Sequence, residues 1–424
     1  MELHPLATTW TADLEKSTVV LVDGVVKFGV GAVVELHETS AHPTIKQRAR
    51  SCAFMVERQS CRIAVDRYYL IEVALIVKRD YSLVGEESRR AVERGLSQAQ
   101  WYRTDVPRKR MKELMQRRNG PAIRDTVLWF ALLALFGGLG VYRWFSVWSL
   151  LCFAVYGVLY GSASDARWHE CGHGTAFRTR WLNTAVYNIA CFMIMRDPTI
   201  WRWSHVRHHT DTIIVGRDPE IVARRPPALG HIAADFLGIF AVPQAFKHMA
   251  IHASGRLTAE EMTFVPDTER HKTYWTARVW LVIYMGVVVA CVTSGSILPA
   301  MVIGLPRMYG AWHHIMTGLT QHSGLADDVT DHRLNSRTVY MNPFSRFVYW
   351  NMNYHVEHHM FPMVPFHALP LLHAEIKDDL PAPAPSIAAA FGEFMPVLIR
   401  QRKDPEYFFD RKLLARADAV GSAG

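Results

Sequence analysis

Three short segments of the chain are rich in histidine. They are HECGH at 169–173, HVRHH at 205–209 and HVEHH at 355–359. On a helix the first segment places two imidazoles at i and i+4. The other two each place three at i, i+3 and i+4, so every segment presents its imidazoles to one region. Imidazole nitrogens suit iron, zinc and copper and are poor ligands for magnesium or calcium. The spacing therefore predicts a transition-metal site.

The first segment also fits a different chemistry. HECGH matches HExxH, in which two histidines bind zinc and the glutamate acts as general base, and this predicts an intramembrane zinc protease. Zinc hydrolysis needs only three protein ligands and an open position. It would leave the other clustered histidines without a purpose. Eight or more imidazoles are the number expected for two metal ions that keep positions open for O2, which favours an oxidase.

The segments that must position these histidines are strongly apolar. Half of the 424 residues are hydrophobic, and they concentrate in long runs. The runs 126–142 and 144–163 each have roughly the 20 residues that a membrane helix needs. Only Arg143 separates them, which predicts a hairpin. A second pair at about 275–294 and 296–319 is joined by Ser-Gly-Ser. A histidine-rich metal transporter would place charged residues within such spans, and these contain few.

The distribution of basic residues predicts the topology. Nearly all Lys and Arg lie before the first hairpin, between the hairpins or after the second one, and the positive-inside rule puts these regions in the cytoplasm. All three histidine segments fall on that side. We therefore expect an all-α integral membrane protein of the cell inner membrane. It would have four transmembrane helices in two hairpins and a cytoplasmic helical cap that carries the histidine segments.

The chain divides into four predicted regions. Residues 1–80 have an unknown role, and two alternatives stay open: an accessory element, or a start codon placed too far upstream. Residues 81–124 form a basic cytoplasmic flank, 125–385 the membrane domain, and 386–424 a cytoplasmic tail. The net charge of +8 suits basic membrane flanks. No basic stripe with interleaved aromatics lies outside the apolar runs, so we expect no nucleic-acid partner.

Longer strings around the histidines carry a family resemblance. HECGHGTAF, WRWSHVRHHTDT, GRDPE and NMNYHVEHHMFPMVP, in their order around two apolar hairpins, resemble the membrane fatty-acid desaturase and hydroxylase superfamily of histidine-box di-iron enzymes. The resemblance covers about residues 85–385, and the strings look most like a bacterial branch that includes the rhizopine-type oxygenases. It implies that the box histidines bind iron, with a ninth ligand at His322. The implied ligands are His169, His173, His205, His208, His209, His322, His355, His358 and His359.

The same resemblance implies the chemistry. Two non-haem iron ions would use O2 and two electrons to desaturate or hydroxylate a C–H bond, with a fatty acyl or lipid substrate as the family default. The rhizopine-like alternative is O-demethylation of a small polar molecule. The six cysteines include no CxxC pair, which excludes a built-in iron–sulfur cluster of the usual spacing. We therefore expect a separate ferredoxin-like carrier and its reductase as partners.

Carboxylates near the histidines are candidates to orient the imidazole rings through their second nitrogen. The sequence offers Asp165, Asp211 and an acidic stretch with Asp327, Asp328 and Asp331. We expect Glu170 and Glu357, inside the boxes, to act as structural hydrogen-bond acceptors. His313 and His314 suit core or tunnel-lining positions, and Asn353 is a weaker candidate for a ligand acting through water.

Overall fold

The computed structural model describes residues 79–413 and, nearer the amino terminus, the backbone of six strands. The chain divides into two compact units, Met1–Arg79 and Asp80–Gly424. The first holds two three-stranded antiparallel sheets in which consecutive strands pair. The strands are β1 (Val19–Val22), β2 (Val25–Phe28), β3 (Val33–Glu35), β4 (Cys52–Glu57), β5 (Ser60–Val65) and β6 (Tyr69–Val73). The two alternatives for residues 1–80 concern a segment that lies largely outside the described residues.

The second unit begins with two short helices and the first predicted hairpin. The hairpin turns at 143–146, where Ser146 caps the returning helix by accepting a hydrogen bond from the Ser149 N–H. A π-helical turn interrupts that helix just before the first histidine segment. The elements are α1 (Glu86–Glu93), α2 (Arg108–Leu114), α3 (Asn119–Tyr142), α4 (Val147–Gly157), the π turn (Val158–Ser162) and α5 (Ala163–Gly172).

Four further helices connect the two apolar halves: α6 (Arg180–Met193), α7 (Pro198–Thr210), α8 (Leu229–Asp235) and α9 (Ala241–Ala253). Helix α6 packs along α5. Helix α7 carries the second histidine segment and has a strong amino-terminal cap. The Asp197 carboxylate accepts the backbone N–H groups of Thr199 and Ile200, and Pro198 occupies the first turn. The start and therefore the register of α7 are fixed locally.

The second apolar pair is only partly helical as predicted. Two 3-10 turns, Glu261–Thr263 and Asp267–Glu269, lead into α10 (Arg270–Ser294), which ends at Gly295 with a positive φ of 61°. The run 296–319 forms three short helices, α11 (Leu298–Val302), α12 (Pro306–Tyr309) and α13 (Trp312–His322). The expectation of one continuous helix there is wrong. Gly304, with φ of 99°, and Pro306 interrupt the helical hydrogen bonds.

Within residues 79–413, three helices are long and apolar enough to cross a membrane. The three stretches are Arg108–Tyr142, which includes α2 and α3, Val147–Gly172, which runs from α4 to α5, and Asp267–Ser294, which includes α10. Many of their large apolar side chains are exposed, including Leu150 and Val282 at 68% and 72%. Lipid is the environment in which such surfaces are stable. Residues 79–413 are thus helical, as predicted, with three helices that could span a membrane.

Glycines let the second long helix touch the broken segment. A Cβ on Gly310 would lie 1.8 Å from the carbonyl oxygen of Gly157, and one on Gly161 would lie 2.6 Å from that of Pro306. Ser162 donates a hydrogen bond to the Gly310 carbonyl at this crossing. Small residues allow such close backbone approach in membrane helices. The contact anchors the helix that continues into the first histidine segment.

The carboxy-terminal part adds α14 (His332–Asn335), α15 (Pro343–Val348), α16 (His355–Met360), α17 (Leu369–Ile376) and α18 (Ile387–Gln401). The third histidine segment forms α16. Its hydrophobic side chains Val356 and Met360 join one continuous core with residues of α5 and α6. Helix α18 falls in the predicted tail and packs against α13; residues 414–424 lie outside the described residues.

Candidate metal centre

Helix α7 presents its histidines in two directions. Residues i and i+4 are about 40° apart around a helix and i+3 lies on the other side of i. His205 and His209 accordingly face one group of imidazoles, and His208 faces another. Helix α16 repeats this geometry, with His355 and His359 on one side and His358 on the other. Each histidine helix therefore contributes to both groups.

The first group contains five imidazoles. Facing pairs of Nε2 atoms connect it: His173 and His205 are 3.1 Å apart, as are His205 and His209, and His209 and His358 are 3.2 Å apart. The ring of His169 lies 4.2 Å from that of His205, between centroids. The members are His169, His173, His205, His209 and His358, with one ligand atom from each within 4.8 Å of all the others.

The second group contains four imidazoles. The Nε2 atom of His355 lies 2.9 Å from that of His322 and 3.0 Å from that of His359. The ring of His208 lies 4.8 Å from that of His359, between centroids. The members are His208, His322, His355 and His359. The structure thus gathers all nine histidines singled out in the sequence into two groups that adjoin at His209 and His359, whose ring centroids are 4.5 Å apart.

The nitrogens of these groups suit a bound metal better than a hydrogen-bond network. Two Nε2 atoms that face each other need one proton between them or a shared cation. Both ring nitrogens of His169, and Nδ1 of His209 and His355, are buried and have no hydrogen-bond partner within the described residues. Buried polar atoms are normally paired, and one nitrogen of His169 lies within 4.8 Å of the ligand atoms of its group, so a ligand is expected there. An all-imidazole donor set selects a transition metal.

Burial keeps the imidazoles neutral. It lowers the pKa of His205, His209 and His358 well below the usual range, and the neighbouring imidazoles lower it further because a second positive charge nearby is disfavoured. Only neutral imidazole binds a metal. These three histidines are therefore held in the ligating form at neutral pH.

Two carboxylates that follow α7 orient its histidines. The Nδ1 atom of His208 lies 2.8 Å from Asp218, which also accepts the backbone N–H of Ile213. The Nδ1 atom of His205 lies 3.1 Å from Glu220, which also accepts a hydrogen bond from Ser204. Such partners fix the tautomer and raise the basicity of the ligating nitrogen. Burial opposes a charge on His208, but Asp218 outweighs it and raises the pKa of His208.

Sequence reasoning named the string GRDPE, which contains Asp218 and Glu220, only as a mark of resemblance and missed this role. Several carboxylates that it did suggest pair elsewhere. Asp165 accepts from Arg196, and Asp211 pairs with Arg207 and Arg217. The available signal was the position of this string shortly after α7. A loop that folds back under a helix can place its carboxylates beside the Nδ1 atoms of that helix's histidines.

The glutamates inside the boxes are buried acceptors. Glu170 is fully buried, with Oε1 lying 3.4 Å from Nδ1 of His169 and 3.7 Å from Nδ1 of His358. Its Oε2 accepts the backbone N–H of Phe366. Glu357 is hydrogen-bonded to Thr338 and His373. Glu170 therefore lies behind two cluster histidines, whereas Glu357 is held by Thr338 and His373, which belong to neither group.

Three other polar residues fall outside the two groups. His313 contacts Ser345, and the amide of Asn353 donates to the Val339 carbonyl. His332 was not singled out in the sequence. Its ring stacks on Trp101 with centroids 4.3 Å apart and lies 5.1 Å from that of His359. Helix α14 brings His332 to this position. Nothing in the sequence pointed to His332, because it does not belong to a repeated histidine spacing.

A cavity of about 280 Å³ opens beside both groups. Its wall includes His169 and His205 of the five-histidine group and His322 and His355 of the four-histidine group. Apolar side chains such as Trp168 and Ile213 make up most of the remaining wall, which also carries five charged side chains: Asp165, Arg196, Glu220, Arg225 and Asp327. A molecule bound there would reach both metal groups.

The fold and the site together define a helical membrane protein with two adjoining, buried imidazole clusters. The model of the fatty acid desaturase family matches residues 142–390, which is more than half of the chain and includes all nine histidines. The chain therefore belongs to the fatty acid desaturase family. Membership implies an oxygen-dependent oxidoreductase of the membrane, and the clusters fit its metal site. A search among curated proteins finds no match.

Proposed function

We propose that the protein is a membrane di-iron oxidase that uses O2 and two electrons to hydroxylate or desaturate a C–H bond. The single observation that carries this proposal is the division of nine imidazoles into two adjoining groups of five and four. One ion needs fewer ligands than nine, and two ions with imidazole ligands leave positions open. Hydroxylation would consume one O2, two electrons and two protons and release one water; desaturation would release two.

The first ion would be held by His169, His173, His205, His209 and His358, and the second by His208, His322, His355 and His359. Bound there, the iron pair supplies the reductive activation of O2 that an unreactive C–H bond requires. The chain's own residues hold the imidazoles neutral and oriented through Asp218 and Glu220. They also enclose the site, because six of the nine histidines are buried. Enclosure limits the access of water to a reactive centre.

The alternative of a zinc protease is less well supported. A zincin requires the glutamate of HExxH to act on a metal-bound water. Glu170 instead lies behind the imidazoles, on the Nδ1 side, and its Oε2 is engaged by Phe366. That position suits an orienting acceptor and is on the wrong side of the rings for a general base.

A fatty acyl or lipid chain is our first candidate for the substrate, because exposed apolar helices give the site a lipid environment. A specific observation favours a second candidate, a small polar ether or amine such as the rhizopine-type resemblance suggests. The cavity beside the clusters carries five charged side chains, including Arg196 and Glu220. These charged groups can bind a polar molecule, while the largely apolar remainder of the wall also suits an alkyl chain.

We further propose the setting in which the enzyme works. Four crossings in the cell inner membrane, with α11 to α13 forming the fourth, would leave the histidine helices in the cytoplasm. Electrons would come from a ferredoxin-like carrier and its reductase. Exposed Arg108, Lys109 and Lys112 on α2 support docking of an acidic carrier, since complementary charge steers association.

The test is to express the full chain with a ferredoxin and its reductase and to measure iron per chain and 18O2-dependent products. Phospholipid-bound acyl chains and small methyl ethers serve as separate substrate arms. We expect about two iron ions per chain, one for each cluster, and a product that needs both O2 and the reductase. One zinc ion per chain with hydrolysis independent of O2 would overturn the proposal.

A further inference from the structure

A third group of metal-ligating side chains lies outside the two clusters. His248 and His252 are one turn apart on α9 and face Glu261 in the following 3-10 turn. The Nδ1 atom of His248 lies 3.0 Å from Oε1 of Glu261, and Nε2 of His252 lies 3.1 Å from both carboxylate oxygens. The three side chains thus converge on one point.

The surroundings hold these side chains in place. The backbone N–H of Thr258 donates to Oε2 of Glu261 at 2.8 Å, and the Gln244 amide contacts Nε2 of His248 at 2.7 Å. Second partners of this kind orient ligands in metal sites. His252 and Glu261 are buried, at 3% and 5% exposure, whereas His248 is half-buried. The exposed side leaves a route for an ion and a water molecule.

We propose that His248, His252 and Glu261 bind one divalent transition-metal ion, Zn²⁺, at a site separate from the two clusters. Two imidazoles and one carboxylate are a donor set that zinc uses, with an open fourth position for water. With metal–ligand distances of about 2.1 Å, tetrahedral donors lie roughly 3.4 Å apart. The separations of 3.0–3.1 Å found here need only a small opening to admit the ion.

The position of the site gives the ion a structural role. The ion would join α9 to Glu261, which lies six residues before the third membrane-spanning segment. Helix α9 also packs along α10, the helix of that segment. Asp197, the cap of histidine helix α7, accepts a hydrogen bond from Thr273 of α10. Its second oxygen is buried without a hydrogen-bond partner in the part of the chain that the structure describes. An ion at His252 would thus brace the base of α10 where α7 begins.

A plain hydrogen-bonded trio is the competing explanation. Two neutral imidazoles can each donate to Glu261, and such a trio needs no metal. The two explanations differ in one measurable respect. The metal site predicts an additional ion per chain and a stability that depends on it, while the trio predicts neither.

The experiment uses the full chain in detergent, with iron loaded, dialysed against a slight excess of Zn²⁺ and then against buffer. We compare metal per chain in the wild type, Glu261→Gln and His248→Ala, with His271→Ala as an exposed-histidine control near the same loop. Thermal unfolding is followed with and without added Zn²⁺. Because all four proteins keep the nine cluster histidines, zinc that enters the clusters cancels in the comparison.

We expect the wild type and the His271→Ala control to hold one more Zn²⁺ per chain than either site variant. Added Zn²⁺ should raise their Tm and leave the Tm of the variants unchanged. Equal zinc in all four proteins would overturn the proposal, as would variants that are less stable than the wild type to the same degree with and without Zn²⁺. His248→Ala, at the half-buried member, keeps the test valid if Glu261→Gln fails to fold.

Discussion

The Nε2 atoms of His173 and His205 face each other at 3.1 Å. They come from the end of α5 and from the middle of α7, so the contact exists only in the folded chain. Two acceptor nitrogens at this distance repel unless a proton or a cation lies between them. Burial lowers the pKa of His205 and so disfavours the proton. The pair is therefore poised for a metal ion.

Replacing a histidine at the centre of the five-membered group should remove its metal. His209 contacts both His205 and His358 through Nε2, so His209→Ala takes one donor from the middle of the group. We expect iron per chain to fall by about half and O2-dependent turnover to fall to background. The control is His231→Ala, because His231 is an exposed histidine that stacks on Phe240. This variant should keep its iron content and its turnover. Full iron content in His209→Ala would contradict the assignment.

His322 is the one histidine of the second group that lies outside the three sequence motifs. His322→Ala should lower the iron content by the share of the four-membered group, because Nε2 of His322 faces His355 at 2.9 Å. His332→Ala is the matched comparison. His332 packs beside His359 but belongs to neither group, so its replacement should leave the iron content unchanged. Iron per chain in the two variants decides whether His322 or His332 is the ligand. If His332→Ala lost iron and His322→Ala kept it, His332 would be the ligand.

Asp218 should tune the metal site through His208. Asp218→Asn keeps the size of the side chain and removes the charge that holds Nδ1 at 2.8 Å. Loss of such a partner typically weakens metal affinity by about 10–100-fold. Asp211→Asn is the control, since Asp211 pairs with Arg207 and Arg217 and does not touch a cluster histidine. Competition with a chelator measures the affinity, and equal values for the two variants would refute the role of Asp218.

The glycine crossing predicts a stability effect. A Cβ on Gly310 would lie 1.8 Å from a carbonyl oxygen, so Gly310→Ala must push α4 and α12 apart. Overpacking of this kind costs about 1–3 kcal/mol, and we expect a lower Tm together with weaker iron retention. Gly286→Ala on the exposed face of α10 meets nothing within 4 Å and should leave the Tm unchanged or slightly raised. Equal Tm values would show that the crossing tolerates separation.

The metal-free protein should lose stability in acid. The folded pKa of His205, His209 and His358 lies well below the unfolded value of about 6.5, so the unfolded chain binds more protons as the pH falls. Stability therefore decreases below about pH 6.5, down to the folded pKa values. His208, whose pKa is raised by Asp218, contributes in the opposite direction and offsets part of the loss. Thermal unfolding between pH 8 and pH 5 tests this, and a Tm that rises toward pH 5 would contradict it.

Much of the site follows from local rules. Helical periodicity places side chains at i and i+4 on one face of a helix. The sequence therefore predicts that His205 and His209 point in the same direction, and that His355 and His359 do so as well. Apolar runs of sufficient length likewise predict the first hairpin and the start of the second. The run 296–319 was wrongly predicted as one continuous helix, because its composition stays apolar while Gly304 and Pro306 break it.

Other features depend on packing between distant parts of the chain. Helical periodicity, apolar runs and histidine spacing predict the helical class and the eight histidines of the three segments, while His322 was implied by the family resemblance. The packing of distant helices, in contrast, sets His358 among the histidines of α5 and α7, while its neighbour His359 lies with His322. Only folding brings Asp218 beneath His208. The physical reason is that helical periodicity fixes the direction of a side chain, whereas its partner depends on which helix packs opposite.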